Sequence, residues 1–355
     1  MTNDYFADKT DIKSLSFEEL ARWIAACGEP SYRAKQLYEW MHVKKAASFS
    51  AMTNLPKKMR EELANRCVYT ALTPVRIQQS KEDGTRKYLF ELPDKKMIES
   101  VWMRYHHGNS VCVSSQVGCR MGCKFCASTL NGVERNLTAG EMLDQVYRIE
   151  EDTLERVSNV VIMGMGEPLD NYDNVIRFIR MLSDERGLHI SQRNITLSTC
   201  GLVPRIYDLA DENLTITLAV SLHAATQDVR ERLMPVAKRY GLDELVEACR
   251  YYFEKTGRRL TFEYALIAGK NDRDEDAQAL KKLLSDAFAH VNLIPVNPVT
   301  ERGFLPPKQP AAAFFAHRLE KYGINVTIRR SMGRDIDGAC GQLRMREPST
   351  VQRTK

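Results

Sequence analysis

Three closely spaced cysteines are the residues of this sequence best suited to chemistry. Cys119, Cys123 and Cys126 stand at C-x3-C-x2-C spacing in a loop that follows a predicted strand. Three thiolates in such a loop can bind three irons of a [4Fe–4S] cluster and leave the fourth iron open to a small molecule. A structural zinc with His106 or His107 as its fourth ligand is the alternative. Because zinc sites usually pair their ligands and no second CxxC follows, the spacing favours the iron–sulfur cluster.

A second motif, Gly164-Met-Gly-Glu167-Pro168, ends the next predicted strand. By itself this motif would be an ordinary turn at a strand end. A cysteine motif after the first strand of an α/β unit, followed by GMGEP after the next strand, resembles the radical SAM superfamily. The resemblance implies that S-adenosylmethionine binds the open iron and that GMGEP holds its methionine amine. Electron transfer into the cluster would then cleave this cofactor to a 5′-deoxyadenosyl radical.

Six ordered segments narrow the resemblance. They are VCVSSQVGCRMGCKFCAS, VVIMGMGEPLDNYDNV, ITLSTCG, AVSLHAATQDVRERLMP, VNLIPVNP and DIDGACGQLR. Together they resemble the RlmN/Cfr family of RNA methyltransferases, in which RlmN methylates carbon 2 of adenosine and Cfr methylates carbon 8. Pro168 and Pro295 match the RlmN branch, whereas Cfr has Ala and Arg at these positions. Gly338 departs from the alanine usual in the family.

Each site residue of that family has a match in this chain. The implied ligands of the cluster are Cys119, Cys123 and Cys126. Cys340 matches the cysteine that carries the methyl group, Cys112 its partner thiol, and Glu99 an acidic residue that accepts a proton. The implied contacts of S-adenosylmethionine are Gly166, Glu167, Ser198, Ser221, Leu222, His223 and Asn297.

The chemistry implied by the family explains why these residue types are needed. Carbon 2 of adenine is electrophilic, so direct methyl transfer from a sulfonium would fail. Cys340 would instead take a methyl group from one S-adenosylmethionine by displacement, which requires a nucleophilic thiolate. A radical from a second molecule would abstract hydrogen from that methyl group, and the carbon radical would add to the ring. Cys112 would help to resolve the crosslink and end as a disulfide with Cys340.

Two alternatives stay open at this stage. The first is methylation of carbon 8, as in Cfr. The second is a zinc-stabilised RNA-binding protein without catalysis, for which Cys340 would be an idle loop thiol and Cys112 a small buried hydrophobe. The activity that the resemblance favours is methylation of carbon 2 of an adenosine in 23S rRNA, at the peptidyl-transferase centre. In some members the adenosine 3′ of certain tRNA anticodons is a further substrate.

Alternating strands and helices must hold these residues in place. From Ser110 onward six nearly continuous apolar strands alternate with amphipathic helices, as expected for parallel strands buried on both faces. The pattern predicts an α/β fold, a partial (β/α)6 barrel, although a doubly wound open sheet fits it too. Both folds place their chemistry at the carboxyl ends of strands. Glu167, Ser198, Ser221, His223 and Asn297 occupy such ends.

The pattern divides the chain into four parts. Residues 1–70 are predicted to form a helical accessory domain that binds RNA. Residues 71–109 are predicted to be a linker with a short β unit, and residues 110–300 the radical SAM barrel core. Residues 301–355 form a C-terminal extension whose glycine-containing loop carries Cys340.

Composition and charge bound the remaining possibilities. The 355 residues are 43% hydrophobic and 27% charged, which is typical of a globular protein rather than a disordered one. No apolar run approaches the length of a membrane span, and the polar start has no signal-peptide core. These features predict the cytoplasm, where reducing thiol pools would keep the nine cysteines from forming a disulfide framework. The segment from Glu301 onward has 11 Lys and Arg against 5 Asp and Glu, a positive balance that suits binding to a polyanionic partner. The resemblance implies 23S rRNA, tRNA and an electron donor such as flavodoxin as partners of a monomer.

Overall fold

The computed structural model describes residues 9–106, 108–284 and 289–344. Its first part is a helical unit with its own apolar core, which extends from Ile12 to Cys67. Ser16 begins the first helix with a capping box, because its hydroxyl accepts from the Glu19 amide at 3.2 Å while the Glu19 carboxylate accepts from the Ser16 amide. The elements are β1 (Thr10–Asp11), α1 (Phe17–Ala26), α2 (Tyr32–His42), α3 (Lys57–Arg66) and β2 (Cys67–Val68), which pairs with β1.

Three antiparallel strands follow the helical unit: β3 (Thr73–Gln79), β4 (Arg86–Glu91) and β5 (Met97–Tyr105). The sequence pattern assigned residues 71–109 to a linker with a short β unit. The structure instead continues these strands into the main sheet, since β5 pairs with the first strand of the core. Most of β5 is buried, which suits a strand covered on both faces.

The remaining elements alternate along the chain, as the hydrophobic pattern predicted. Strands and helices of the core are β6 (Gly108–Cys112), β7 (Gln116–Gly118), β8 (Val133–Asn136), α4 (Ala139–Thr153), β9 (Val157–Ile162), α5 (Tyr172–Ser183), β10 (Ile195–Thr199), α6 (Val203–Asp211), β11 (Thr217–Ser221), α7 (Gln227–Leu233), α8 (Leu242–Thr256), β12 (Leu260–Leu266), α9 (Asp274–Leu283) and β13 (Ala289–Pro295). The extension adds α10 (Gln309–Lys321) and β14 (Asn325–Ile328).

One ten-stranded sheet organises the molecule, in the order β14-β13-β12-β11-β10-β9-β6-β5-β4-β3. From β6 to β14 the strands are parallel and their order follows the chain without reversal. A doubly wound sheet would reverse its order at a switch point, so this alternative is wrong. The ends of β9 to β13 line a single cavity, which requires the sheet to curl around it. The predicted α/β partial barrel is therefore confirmed, with β14 as an additional parallel strand at one edge.

A buried ion pair joins the helical unit to the barrel. The Lys13 ammonium lies 2.7 Å from the Asp144 carboxylate on α4, and neither side chain has any exposed surface. Tyr69 covers the ammonium with its ring at 4.3 Å, and Asp144 also accepts the backbone N–H of Leu72. These contacts fix the orientation of the accessory unit on the barrel. Within the described residues, none of the helices combines the length and the apolar character that crossing a bilayer requires.

Candidate active site

The carboxyl ends of the parallel strands surround one cavity. Ten of the thirteen residues assigned by resemblance line it: Cys119, Cys123, Cys126, Gly166, Glu167, Ser198, Ser221, His223, Asn297 and Cys340. Of the other three, Cys112 lines an adjoining cavity that also reaches Cys340. Leu222 is fully buried in the core, and its backbone N–H donates to the carbonyl of Glu263. Glu99 is buried behind the loop of Cys340.

The three cysteines of the motif lie in a loop closed by the hairpin of β7 and β8. Gly118 has a φ of +77°, and a Cβ at this position would overlap the carbonyl oxygen of Gly132. Only glycine therefore allows the two ends of the loop to approach, and the Cys119 amide then donates to the same oxygen at 2.7 Å. Inside the loop, the Thr129 hydroxyl donates to the carbonyls of Cys123 and Cys126.

The environment of these thiols suits a metal cluster. Burial raises the pKa of Cys119 to about 12 and raises those of Cys123 and Cys126, and neighbouring thiols raise the first two further. Buried thiolates are therefore unfavourable unless a cation compensates them, and iron does so by direct ligation. Among the described residues no three His, Cys, Asp or Glu side chains already form a closed ligand set. The fit to a cluster rests on three soft donors that line one cavity and come from one loop.

The zinc alternative has no support from His106. This residue precedes β6, whereas the cysteine loop follows the opposite end of that strand. A strand of five residues spans about 16 Å, so His106 and the cysteine loop lie beyond opposite ends of β6. His107 lies outside the described residues.

The GMGEP motif is held against the segment that follows β6. A Cβ on Gly164 would stand 2.7 Å from the Ser114 hydroxyl, and one on Gly166 would stand 2.7 Å from the Gln116 side chain. Glu167 accepts the backbone N–H groups of Leu169 and Cys200 at 3.0 and 2.8 Å. Burial raises the pKa of the Glu167 carboxyl, and these hydrogen bonds oppose the rise. A buried carboxylate at a cavity wall is suited to a ligand ammonium group.

His223 and Asn297 both line the cavity. His223 has a left-handed backbone with a φ of 55°, and its Nδ1 accepts the Ala265 amide at 2.8 Å. Burial lowers the pKa of His223 to about 3, so the ring is neutral and carries its proton on Nε2, a donor. The Asn297 amide donates to the Cys340 carbonyl at 3.1 Å, while its buried Oδ1 has no partner. Nε2 of His223 as a donor and Oδ1 of Asn297 as an acceptor thus remain for a polar ligand such as S-adenosylmethionine.

Cys340 stands where the two cavities meet, beside Arg329. Residue 340 as a whole is exposed, yet desolvation by the cavity wall raises the pKa of its thiol, and the Arg329 guanidinium opposes this. Desolvation also raises the pKa of Cys112 to about 12, and the Cys340 thiol adds to the rise. Both thiols line the adjoining cavity.

Glu99 does not reach either cavity. Its carboxylate lies 3.6 Å from the Lys87 ammonium and accepts the backbone N–H of Arg344 at 2.9 Å. The residue therefore anchors the chain immediately after the loop of Cys340. Glu263 on β12 does line the main cavity, as Glu167 does, and burial raises the pKa of the Glu263 carboxyl.

Sequence reasoning missed three residues at the site. The sequence pattern gave Cys200 no role beyond a structural one, but this residue lines the cavity and its backbone N–H donates to the Glu167 carboxylate. Its place just after β10 is the signal that could have revealed it. Phe125 packs edge-to-face on His223, with ring centroids 4.8 Å apart. Arg230 is wholly buried below the cavity, and no spacing in the sequence pointed to it.

Comparison with known proteins agrees with this geometry. A family model described as Radical SAM superfamily matches residues 113–280. The crystal structure of a radical SAM methyltransferase from Sphaerobacter thermophilus has a TM-score of 0.89 and 46% identity, covering 94% of this chain and 99% of that one. Fold and site thus define a radical SAM methyltransferase, an enzyme whose cofactors are a [4Fe–4S] cluster and S-adenosylmethionine.

More specific relatives identify the family. A model described as Ribosomal RNA large subunit methyltransferase N-terminal domain matches residues 10–68. The probable dual-specificity RNA methyltransferase RlmN of Lachnospira eligens is 59% identical over 335 residues, which cover 94% of this chain and 96% of that relative. Its counterpart in Geobacillus thermodenitrificans is 52% identical over 95% of this chain and 93% of the relative. The chain belongs to the RlmN family, and the alternative of a non-catalytic zinc protein is wrong.

Proposed function

We propose that this enzyme methylates carbon 2 of an adenosine in 23S rRNA, at the peptidyl-transferase centre, and of the adenosine 3′ of the anticodon in some tRNAs. The observation that supports this most strongly is the convergence of Cys340 with the three cysteines of the motif in one cavity. The relatives named dual-specificity RNA methyltransferases support RNA as the substrate class. The proposed route uses two molecules of S-adenosylmethionine and an S-methylated Cys340.

Several residues of this chain would bind the cofactors. Cys119, Cys123 and Cys126 would ligate the cluster, and the Glu167 carboxylate would receive the methionine ammonium. Ser198, Ser221, His223, Gly166 and the backbone of Leu222 are the remaining proposed contacts. Asn297 would use its unpartnered Oδ1 on the cofactor while its amide holds the loop of Cys340. When bound, the cofactors supply a methyl group for Cys340 and, after reduction, a carbon radical that removes a hydrogen atom from that methyl group.

Cys340 and Cys112 would carry the covalent steps. The sulfur-bound carbon of Cys340 would add as a radical to carbon 2 of the adenine and link protein to RNA. Loss of the carbon-2 proton and of one electron, which the oxidised cluster can take back, would leave a closed-shell crosslink. The Cys112 thiolate then attacks the Cys340 sulfur, and the carbon–sulfur bond breaks. The electron pair of that bond remains on carbon, which takes up a proton and becomes the methyl group. A disulfide between Cys112 and Cys340 is left, and an external dithiol must reduce it before the next turnover.

Glu99 is proposed as the acceptor of the proton that leaves carbon 2. Its carboxylate accepts the Arg344 amide, so it lies directly behind the segment that carries Cys340. The Lys87 ammonium lies 3.6 Å from the same carboxylate. The adenine must leave its stack to reach Cys340. Because Glu99 lines neither cavity, the segment at Arg344 would have to move aside before carbon 2 could reach its carboxylate.

Methylation of carbon 8 is the alternative within the family. Pro168 and Pro295 support carbon 2, because both match the RlmN branch. Pro168 is buried and starts the turn after Glu167, so it bears on the shape of the cavity wall. We propose further that the enzyme acts in the cytoplasm as a monomer and receives electrons from a donor such as flavodoxin.

The test is an anaerobic reaction with methyl-deuterated S-adenosylmethionine and a domain V fragment of 23S rRNA, read by mass spectrometry of nucleosides. Deuterated 2-methyladenosine is expected from the wild type and from the matched control Cys249→Ala, whose thiol is buried in the core. Cys340→Ala should give no methylated nucleoside. Cys112→Ala should accumulate a protein–RNA crosslink. An 8-methyl product would overturn the assignment to carbon 2, and product formation by Cys340→Ala would overturn the methyl-carrier role.

A further inference from the structure

Arg230 is a buried cation that has no carboxylate partner among the described residues. The side chain, on α7, has no exposed surface. Its Nη2 donates to the carbonyls of Cys200 at 2.8 Å and Ser221 at 3.3 Å, while Nε and Nη1 have no hydrogen-bond partner. In the part of the chain that the structure describes, no carboxylate lies within ion-pair distance of the guanidinium.

A buried guanidinium with so few partners destabilises the folded protein. A guanidinium does not lose its proton in proteins, so it remains charged in the core. Removing a charge from water without a partner is strongly unfavourable even after the protein relaxes around it. Two carbonyl dipoles offset only part of this cost. The arrangement is therefore expected to be completed by an anion that is present in the working enzyme.

The cysteine loop packs directly on the helix that carries Arg230. The Lys124 amide donates to the carbonyl of Leu233, the last residue of α7, at 2.9 Å. A Cβ on Gly122 would stand 3.4 Å from Pro235, just beyond that helix. Arg230 also interacts electrostatically with the Cys123 thiol. The guanidinium thus lies below the loop that would ligate the cluster.

We propose that Arg230 is the fixed counter-charge of the iron–sulfur cluster and favours its one-electron reduced state. Three thiolates give the cluster a net negative charge, and an electron from an external reductant adds one more. The added negative charge strengthens the attraction between the cluster and the buried guanidinium. The low dielectric constant of the protein interior screens this attraction little. The cluster is therefore easier to reduce than it would be without Arg230. This inference does not depend on which carbon of adenine is methylated.

A purely structural role is the competing explanation, because Nη2 of Arg230 donates to carbonyls at the ends of both β10 and β11. Three substitutions separate charge from shape. Arg230→Met removes the charge at similar volume, and Arg230→Gln does so but keeps a donor for one carbonyl. Arg230→Lys keeps the charge but loses the fork. Arg232→Met is the matched control, since Arg232 is exposed on the same helix.

The measurement is a redox titration of the reconstituted cluster without S-adenosylmethionine, followed by electron paramagnetic resonance and normalised to iron content. Arg230→Met and Arg230→Gln should lower the reduced-to-oxidised ratio at a given potential about tenfold, which is ~59 mV for one electron. Arg230→Lys and Arg232→Met should stay within threefold of the wild type. If Met and Gln leave the ratio unchanged, or if Lys lowers it as much as they do, the inference is wrong.

Thermal unfolding of the iron-free protein gives a second readout. Arg230→Met removes an uncompensated charge, so its midpoint without iron should equal or exceed that of the wild type. A lower midpoint would instead indicate that the hydrogen bonds of Arg230 stabilise the fold, and it would contradict the proposal. Should Arg230→Met fail to incorporate iron, Arg230→Gln and Arg230→Lys still decide the redox comparison.

Discussion

The side-chain amide of Asn297 donates to the carbonyl oxygen of Cys340 at 3.1 Å. This hydrogen bond ties the end of β13 to the loop of the proposed methyl carrier. The same asparagine leaves its Oδ1 buried and unpartnered at the cavity wall. One side chain thus connects the proposed cofactor site with the position of the reactive thiol.

Replacing Asn297 by alanine is expected to weaken S-adenosylmethionine binding about tenfold, because one buried hydrogen bond contributes about 1.4 kcal/mol. Equilibrium dialysis with the reconstituted protein measures this. Methylation of Cys340, followed by intact-protein mass spectrometry, should slow as well. Asn325→Ala is the control, since Asn325 is exposed on β14. Unchanged affinity in Asn297→Ala would remove the proposed role of Oδ1.

Gly118 and Gly132 allow a test of the cysteine loop. Both have positive φ, but a Cβ on Gly132 meets open space while one on Gly118 overlaps the Gly132 carbonyl oxygen. Gly132→Ala should cost about 1–2 kcal/mol from its left-handed backbone alone. Gly118→Ala should cost more and should also reduce the iron bound after anaerobic reconstitution. Chemical denaturation and iron analysis check both expectations, and equal behaviour of the two variants would contradict them.

The ion pair of Lys13 and Asp144 should stabilise the junction between the accessory unit and the barrel. Lys13→Met leaves the Asp144 carboxylate buried without its cation, which is expected to cost about 3–5 kcal/mol in urea denaturation. Lys57→Met serves as the control, because its pair with Glu61 is exposed and should contribute almost nothing. A decrease of less than about 1 kcal/mol in the unfolding free energy of Lys13→Met would show that other contacts compensate for the missing cation.

His42 makes stability depend on pH. Burial lowers the pKa of His42 from 6.5 to about 3, and the Lys13 charge adds to the effect. At pH values between these two pKa values, the His42 imidazole is protonated in the unfolded chain but neutral in the folded chain. The contribution of His42 is therefore complete above pH 6.5 and is lost as the pH falls towards 3, by about 1.4 kcal/mol per unit.

Denaturation at several pH values should therefore give a smaller slope for His42→Gln, whose amide can still accept from the Tyr147 hydroxyl that now lies 2.7 Å from the imidazole. His317→Gln is the control at an exposed position. If the slope of His42→Gln matched that of the wild type, His42 would not be the titrating group.

Local patterns in the sequence were sufficient for the cluster motif, for GMGEP and for the α/β alternation, because each is set by spacing over a few residues. The strands around Val160, Leu218 and Phe262 were recognisable because burial on both faces requires continuous apolar runs. The order of the motifs along the chain was enough to identify the family.

Contacts between distant segments were decided only by the tertiary structure. The hydrophobic periodicity of residues 71–109 does not show whether their strands pair with the core. In the structure β5 pairs with β6 and so joins them to the main sheet. The same holds for Cys200 beside Glu167 and for Arg230, whose burial depends on how α7 packs below the cysteine loop. Sequence spacing determines which residues can react, whereas the curl of the sheet determines which of them share one cavity, since that depends on pairings between strands far apart in the chain.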